Sequence, residues 1–198
     1  MITQTKFYEA PPVNRREILR YAGCAEADEE TVSLMENCLA EAAGAPVYKV
    51  CYRDLPVAVA GDTCDFGAFS VLSGNLAGNL SGCSLVILFA ATVGVGIDRL
   101  IQKYSRIAPS RALMMQAIGT ERIEALCDLF CSDIEKERGI SLRPRFSPGY
   151  GDLPLSAQKD IVTLLDTSKR IGLSLNDSLL MSPTKSVTAF AGITNTTV

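Results

Sequence analysis

The chain has 198 residues, 47% apolar and 21% charged, which suits a packed core and argues against disorder. Its 22 acids and 19 bases give a net charge of −3 with no long run of either sign, which argues against a dedicated nucleic-acid surface. There is no histidine, which excludes Ser-His-Asp and Cys-His nucleophiles, histidine-based zinc sites and an imidazole general base.

Residues 1–12 read as an extended arm. Asn14 is placed to cap a short helix running to Tyr21 and ending near Gly23. Asp28 is placed to cap the next, with Glu29 and Glu30 at its positive end. Val32, Met35, Leu39 and Ala43 recur there at helical spacing, and Gly44-Ala45-Pro46 stops the helix. The span 47–52 alternates and predicts a strand, with 57–60 as its partner across Arg53-Asp54-Leu55-Pro56 and 64–69 as a third strand. In 70–81 the rows Gly74, Gly78, Gly82 and Leu72, Leu76, Leu80 repeat every four residues and predict a helix.

The apolar run 84–95 is too short to cross a membrane and reads as a buried strand, its core at 85–91. Thr92-Val93-Gly94-Val95-Gly96 and a helix over 97–104 follow. This order invites a dinucleotide reading, but Arg99 stands where the third glycine belongs and no acid ends a second parallel strand. A tight strand-to-helix turn is the better reading. Pro109 suits the first turn of a long helix striped by Met115, Ile118, Ile123, Leu126, Phe130 and Ile134 and ended by Gly139. Gly119 marks a bend in it. Glu121, Glu124 and Asp128 lie three and four residues apart on it, either a solvated face or a holder for a substrate ammonium.

Seven cysteines, at 24, 38, 51, 64, 83, 127 and 131, make an odd count without a Cys-x-x-Cys pair. With no signal-peptide pattern they predict reduced, mostly buried thiols in a cytoplasmic protein. Cys127 and Cys131 share a helix face, which core packing explains without a metal.

The span 140–146 reads as a strand entering Arg145-Phe146-Ser147-Pro148-Gly149-Tyr150-Gly151-Asp152-Leu153-Pro154. Pro148 and Gly149 suit the second and third positions of a type II turn, presenting the amides of Gly149, Tyr150 and Gly151 outward. Arg145 offers a fork for a carboxylate, Tyr150 a ring and a hydroxyl, and Asp152 an anion. Residue types alone fit a small zwitterion with an extra positive centre, but favour a strand ending in a Pro-Gly turn. A helix from Ser156 carries Ile161, Leu164 and Leu165, with Gly172 at its end. Ser156-Ala157-Gln158-Lys159 matches the Ser-x-x-Lys of penicillin-recognising enzymes by chance, since their other motifs are lacking. Two strands, 177–181 and 186–193, joined by Ser182-Pro183-Thr184-Lys185, close the chain. Mixed runs of helix and strand without βαβ alternation favour an α+β fold with a largely antiparallel sheet.

Arg145 to Tyr150 also spells Arg-x-x-x-Gly-Tyr. Leu164-Leu165-Asp166, Lys169, Gly172-Leu173, Leu175, Asp177-Ser178, Met181, Pro183 and Ser186-Val187-Thr188 follow it in matching order. In these residues the chain resembles the activation (reactivation) domain of cobalamin-dependent methionine synthase. The resemblance implies a twisted antiparallel sheet with flanking helices, and S-adenosylmethionine as ligand. It implies that Arg145 binds the methionyl carboxylate, that Gly149 and Tyr150 shape the pocket and that backbone around Ser147 holds the adenine. Glu124, by a looser match, is placed at the ligand's amino group, while the family's N-terminal acid has no clear counterpart. The chain is expected to form a single activation-like domain over 1–198, with a helical N-terminal part (1–45) and an α+β core (46–198). It shows no cobalamin-, folate- or homocysteine-binding domain, its first hundred residues show no clear match, and it stops soon after Ile193. It is therefore not expected to run the synthase reaction alone.

The implied role is activation in trans. Cobalamin on such a methyltransferase oxidises to inactive cob(II)alamin, and rescue needs one electron and a methyl group. The implied partners are a cobalamin-binding methyltransferase subunit and a flavodoxin or other electron donor, with no nucleic acid and no membrane. No imidazole of this chain can ligate the cobalt, and 181–188 is a candidate face toward the partner. The alternatives are a module that binds S-adenosylmethionine or docks a corrinoid protein without reactivation, and, less favoured, a dinucleotide oxidoreductase.

Overall fold

A computed structural model describes residues 2–24 and 26–194. The elements run β1 (Gln4–Tyr8), α1 (Arg15–Tyr21), α2 (Glu29–Ala42), β2 (Tyr48–Pro56), β3 (Ala58–Ala60), β4 (Thr63–Asp65), β5 (Ser70–Leu72), α3 (Gly74–Asn79) and β6 (Leu85–Thr92). They continue α4 (Gly96–Tyr104), α5 (Pro109–Arg138), β7 (Ser141–Leu142), α6 (Gln158–Leu165), α7 (Thr167–Ile171), β8 (Ser174–Leu175), β9 (Met181–Ser182) and β10 (Ser186–Thr194). The centre is an antiparallel five-stranded sheet in the order β1-β2-β6-β10-β7. The fold is α+β, as the pattern predicts.

Both faces of this sheet are covered. Ile87, Phe89, Ala91 and Ala189 pack against α1, α2, α4 and α5. Val86, Leu88, Ala90 and Phe190 pack against α3, α6, α7 and the small strands. Burial on both sides is why β6 reads as a continuous apolar run and does not alternate. The long helix α5 buries the whole predicted stripe, from Met115 to Ile134. Pro109 lies in its first turn, and Gly139 ends it in the left-handed region at φ 62°. Asn14 accepts from the Glu17 amide at 3.2 Å and Asp28 from the Thr31 amide at 2.9 Å, the predicted caps of α1 and α2.

Several expectations need correction. The arm is partly a strand: β1 forms the sheet edge on β2. The residues 53–56 do not turn; β2 runs through them in register with β6, from Lys49↔Thr92 to Pro56↔Leu85. Segment 57–60 pairs with β4, in a separate β3-β4-β5 sheet. The third strand stops at Asp65, whose side chain accepts from the Gly67 amide at 2.8 Å and bends the chain. In 70–81, β4 claims the first residues as β5 and only Gly74–Asn79 is helical.

In 140–146 the ladder breaks at Pro144, which has no amide, and resumes as one Phe146–Phe190 bridge. The helix after Ser156 divides at Asp166, which adopts φ 51° between α6 and α7. Of the predicted strand 177–181 only Met181 is in a strand, because the Asn176 side chain accepts from the Ser178 and Leu180 amides and closes a turn, and the closing pair is not a hairpin. β9 pairs with β8, and β10 lies between β6 and β7, where its apolar residues are covered on both sides.

Candidate functional site

On α5, Glu124 and Asp128 project one helical turn apart toward the stretch that follows β7. Arg145 in that stretch engages both. Its Nη2 donates to Glu124 Oε2 at 2.9 Å and its Nη1 to Asp128 Oδ1 at 2.5 Å. The three side chains are 23%, 42% and 72% exposed respectively, so the guanidinium is the sheltered member. Burial works against its charge, but the Asp128 carboxylate helps outweigh that, and its pKa is raised.

Phe146 anchors the next residues. It is buried, and its amide and carbonyl both bond Phe190 on β10 at 2.9 Å. The chain then turns as its Pro-Gly pair predicts. Ser147 O accepts from the Tyr150 amide at 3.1 Å, and Gly149 takes φ 87°. The amides of Gly149 and Tyr150 do not point outward, however. Leu153 O takes that of Gly149 at 2.9 Å, and Ser147 O takes that of Tyr150. The Tyr150 ring is 69% exposed and stands edge-on to Phe146, with centroids 5.4 Å apart.

Glu124, Arg145, Ser147, Tyr150 and Val187 line one cavity of about 230 Å³. Four of the five predicted site residues thus meet at one opening, and Gly149 forms the turn beneath it. Val187 comes from β10, on the sheet face that α5 covers. A second cavity of about 570 Å³ lies across Glu124 and Asp128, walled by Pro11, Pro12, Glu17, Tyr21 and Glu121 among others. Sequence reasoning missed Asp128 as a partner of Arg145, although its spacing from Glu124 was the available signal. Val187 stands among the matched residues 186–188 and in the candidate partner face 181–188, but its place at this cavity was not foreseen.

Other candidates have structural roles. Asp152 turns away to the start of α3, bonding Ser73 and the amides of Gly74 and Asn75. Glu121 is buried against Arg122 at 2.5 Å and accepts from the Asn14 amide at 2.9 Å. Arg122 donates to the carbonyls of Pro11 and Pro12 at 2.6 and 2.8 Å, fixing the N-terminal segment on α5. Burial pushes the thiols of Cys127 and Cys131 up, and that of Cys51 to about 12, which makes them poor nucleophiles. Among the described residues no cluster of three or more acidic or thiol side chains is arranged to hold a metal, and no helix is long and apolar enough to cross a membrane.

A sequence model of the vitamin B12-dependent methionine synthase activation domain matches residues 72–196. A crystal structure of the MetH reactivation domain bound to AdoHcy has a similar fold, with a TM-score of 0.71 and 14% identity over 97% of this chain and 78% of that one. At that identity the likeness is one of fold.

Proposed function

Because this chain belongs to the activation-domain family of vitamin B12-dependent methionine synthase, we propose that it binds S-adenosylmethionine and supports reductive methylation of cobalamin on a separate protein. The convergence of Arg145, Glu124, Ser147 and Tyr150 on one cavity carries the reading. The guanidinium fork suits the ligand's carboxylate, and Glu124 beside it suits the ammonium. In the structure these two protein groups satisfy each other at 2.9 Å. A zwitterion can replace that contact with two of its own, so neither charge is left unpaired.

Ser147 O has already accepted one bond, and a carbonyl retains a second lone pair for an adenine amine. The exposed Tyr150 ring stands at the cavity edge as a face for the adenosine. The sulfonium supplies an electrophilic methyl that needs no general base, so the lack of histidine is no obstacle. What the residues of this chain do is bind and orient. The corrinoid arrives on a cobalamin-binding methyltransferase subunit, and the electron comes from a flavodoxin or a similar donor. Residues 181–188 reach the cavity through Val187 and form the proposed face toward that partner.

Arg145 is already held by two carboxylates, which favours a second reading: a module that binds the ligand or the corrinoid protein without reactivation. Calorimetric titration with S-adenosylmethionine tests the first step, with Arg145→Ala as control. Saturable binding is expected, weakened at least about tenfold in the variant by loss of a charge-assisted contact. No binding at millimolar ligand sinks the proposal. Binding without methylation of a reduced corrinoid partner supports the second reading.

A further inference from the structure

The charges around Arg145 do not balance. Glu124 and Asp128 share this one cation. The neighbouring carboxylates have partners of their own: Glu17 pairs with Arg20 at 2.6 Å and Glu121 with Arg122 at 2.5 Å. Arg143 and Glu135 line the groove beyond Asp128, one charge of each sign, and bond respectively to the Ser81 carbonyl and the Leu142 amide. Lys185 reaches Thr120, one turn before Glu124, and Asp98 lies near enough to act on its charge. Arg145, Glu124 and Asp128 together therefore carry one net negative charge.

This surplus bears on the proposed ligand and rests on that reading. S-adenosylmethionine has a sulfonium, an ammonium and a carboxylate, and so is a net monocation. When the methyl leaves, the C–S electron pair stays on sulfur and the partner's reduced cobalt supplies the pair for the new bond. The product, S-adenosylhomocysteine, has a neutral thioether and no net charge. Donor and product present the same carboxylate to Arg145 and the same ammonium to Glu124, so these contacts do not tell them apart. Asp128 lies outside the lining of the 230 Å³ cavity, holds the Nη1 end of Arg145 one helical turn beyond Glu124 and supplies the excess negative charge.

We infer that Asp128 is a specificity-determining residue that biases the site toward cationic S-adenosylmethionine and against its net-neutral product. The product is thereby released more readily once its charge has gone. A single charge several ångströms away across a partly solvated site is worth about threefold to tenfold in the ratio of the two affinities. Because the charge is partly exposed, added salt weakens the preference.

The test is calorimetric titration of wild type and Asp128→Asn with S-adenosylmethionine, S-adenosylhomocysteine and sinefungin, at low and high sodium chloride. Sinefungin carries an ammonium where the donor carries its sulfonium, so it reports charge without the methyl. Wild type is expected to hold both cations more tightly than the neutral product. Asp128→Asn is expected to narrow that preference about threefold to tenfold, mainly by weakening the cations. High salt is expected to narrow it in wild type with no mutation at all. An unchanged ratio in the variant, with both ligands still bound, overturns the inference alone. Failure of wild type to bind any of the three overturns the functional reading and the inference with it.

Discussion

The carboxylate of Asp152, in the turn that carries Tyr150, accepts a hydrogen bond from the hydroxyl of Ser73, the N-cap of α3. It also accepts from the amides of Gly74 at 2.8 Å and Asn75 at 3.2 Å. The turn beneath the cavity is thereby fastened to a helix start far away in the sequence, where amides lack partners within the helix.

The Ser73 hydroxyl first, then the Asn75 and Gly74 amides, hold the Asp152 carboxyl below its ordinary value. A depressed carboxyl contributes stability above its unfolded pKa, near 4, and loses it as pH falls through the folded value. Asp152→Asn is therefore expected to lower the melting temperature at pH 7 by a few degrees. The gap from wild type should close as melts are repeated toward and below pH 3. A gap that persists in acid would show that the charge is not what ties the turn to α3.

Gly119 is a close-packing position in the middle of α5. A methyl group there would stand 2.7 Å from Ile97 Cγ2 and 2.9 Å from Cγ and Cε of Lys185. The Lys185 stem thus crosses α5, and its ammonium donates to Thr120 Oγ1 at 3.0 Å, half-buried, with its pKa lowered by that burial. Gly119→Ala gains about 1 kcal/mol of helix propensity but incurs overpacking of about 1–3 kcal/mol. Net destabilisation is expected in urea titration. Adding Lys185→Ala should recover part of it, since Ile97 remains. A stabilised single variant would mean that the neighbours yield freely.

What was legible in the sequence is what depends on neighbours along the chain. Asn14 and Asp28 cap as predicted, and the α5 stripe is buried, because caps and helical faces are local properties. Strand partners were not legible. Segment 57–60 sits beside other segments competent to pair, and the choice is made by what covers each face, while 177–180 is a turn held by the Asn176 side chain. The Gly94-Val95-Gly96 turn shows the limit from the other side. A Cβ at Gly96 would meet the Ala45 carbonyl oxygen, so the glycine there admits a neighbouring backbone, which no spacing rule reveals. At the site, Arg145 and Glu124 came from the motif and its looser extension. That Asp128 also holds Arg145 depends on how α5 is rotated against the stretch after β7.

Arg122 and Glu121 form a buried pair, each 3% exposed, and Arg122 also holds the Pro11 and Pro12 carbonyls. Removing one member of a buried pair leaves the other uncompensated, at a cost of about 3–5 kcal/mol. Arg122→Met is expected to lower stability on that scale and to free the segment around Pro11 for early cleavage in limited proteolysis. The double change Glu121→Leu with Arg122→Met should restore much of the stability without restoring protection of the segment. If protection returns too, apolar packing holds the segment, and the hydrogen bonds to its carbonyls do not.

Tyr150 separates folding from binding. Its ring is 69% exposed, and its aromatic contact is the edge-on one with Phe146. A substitution at so open a position usually changes stability by about 0.5 kcal/mol or less, whereas stacking of a base on an aromatic ring is worth about 1–3 kcal/mol. Tyr150→Ala is therefore expected to melt almost as wild type does and to bind S-adenosylmethionine about tenfold more weakly. Tyr150→Phe keeps the face and loses only the hydroxyl, so it should bind close to wild type. An equal loss in both variants would assign the contact to the hydroxyl. Unchanged affinity in Tyr150→Ala would place the adenosine away from this ring and leave Arg145, Glu124 and the Ser147 carbonyl as the proposed contacts.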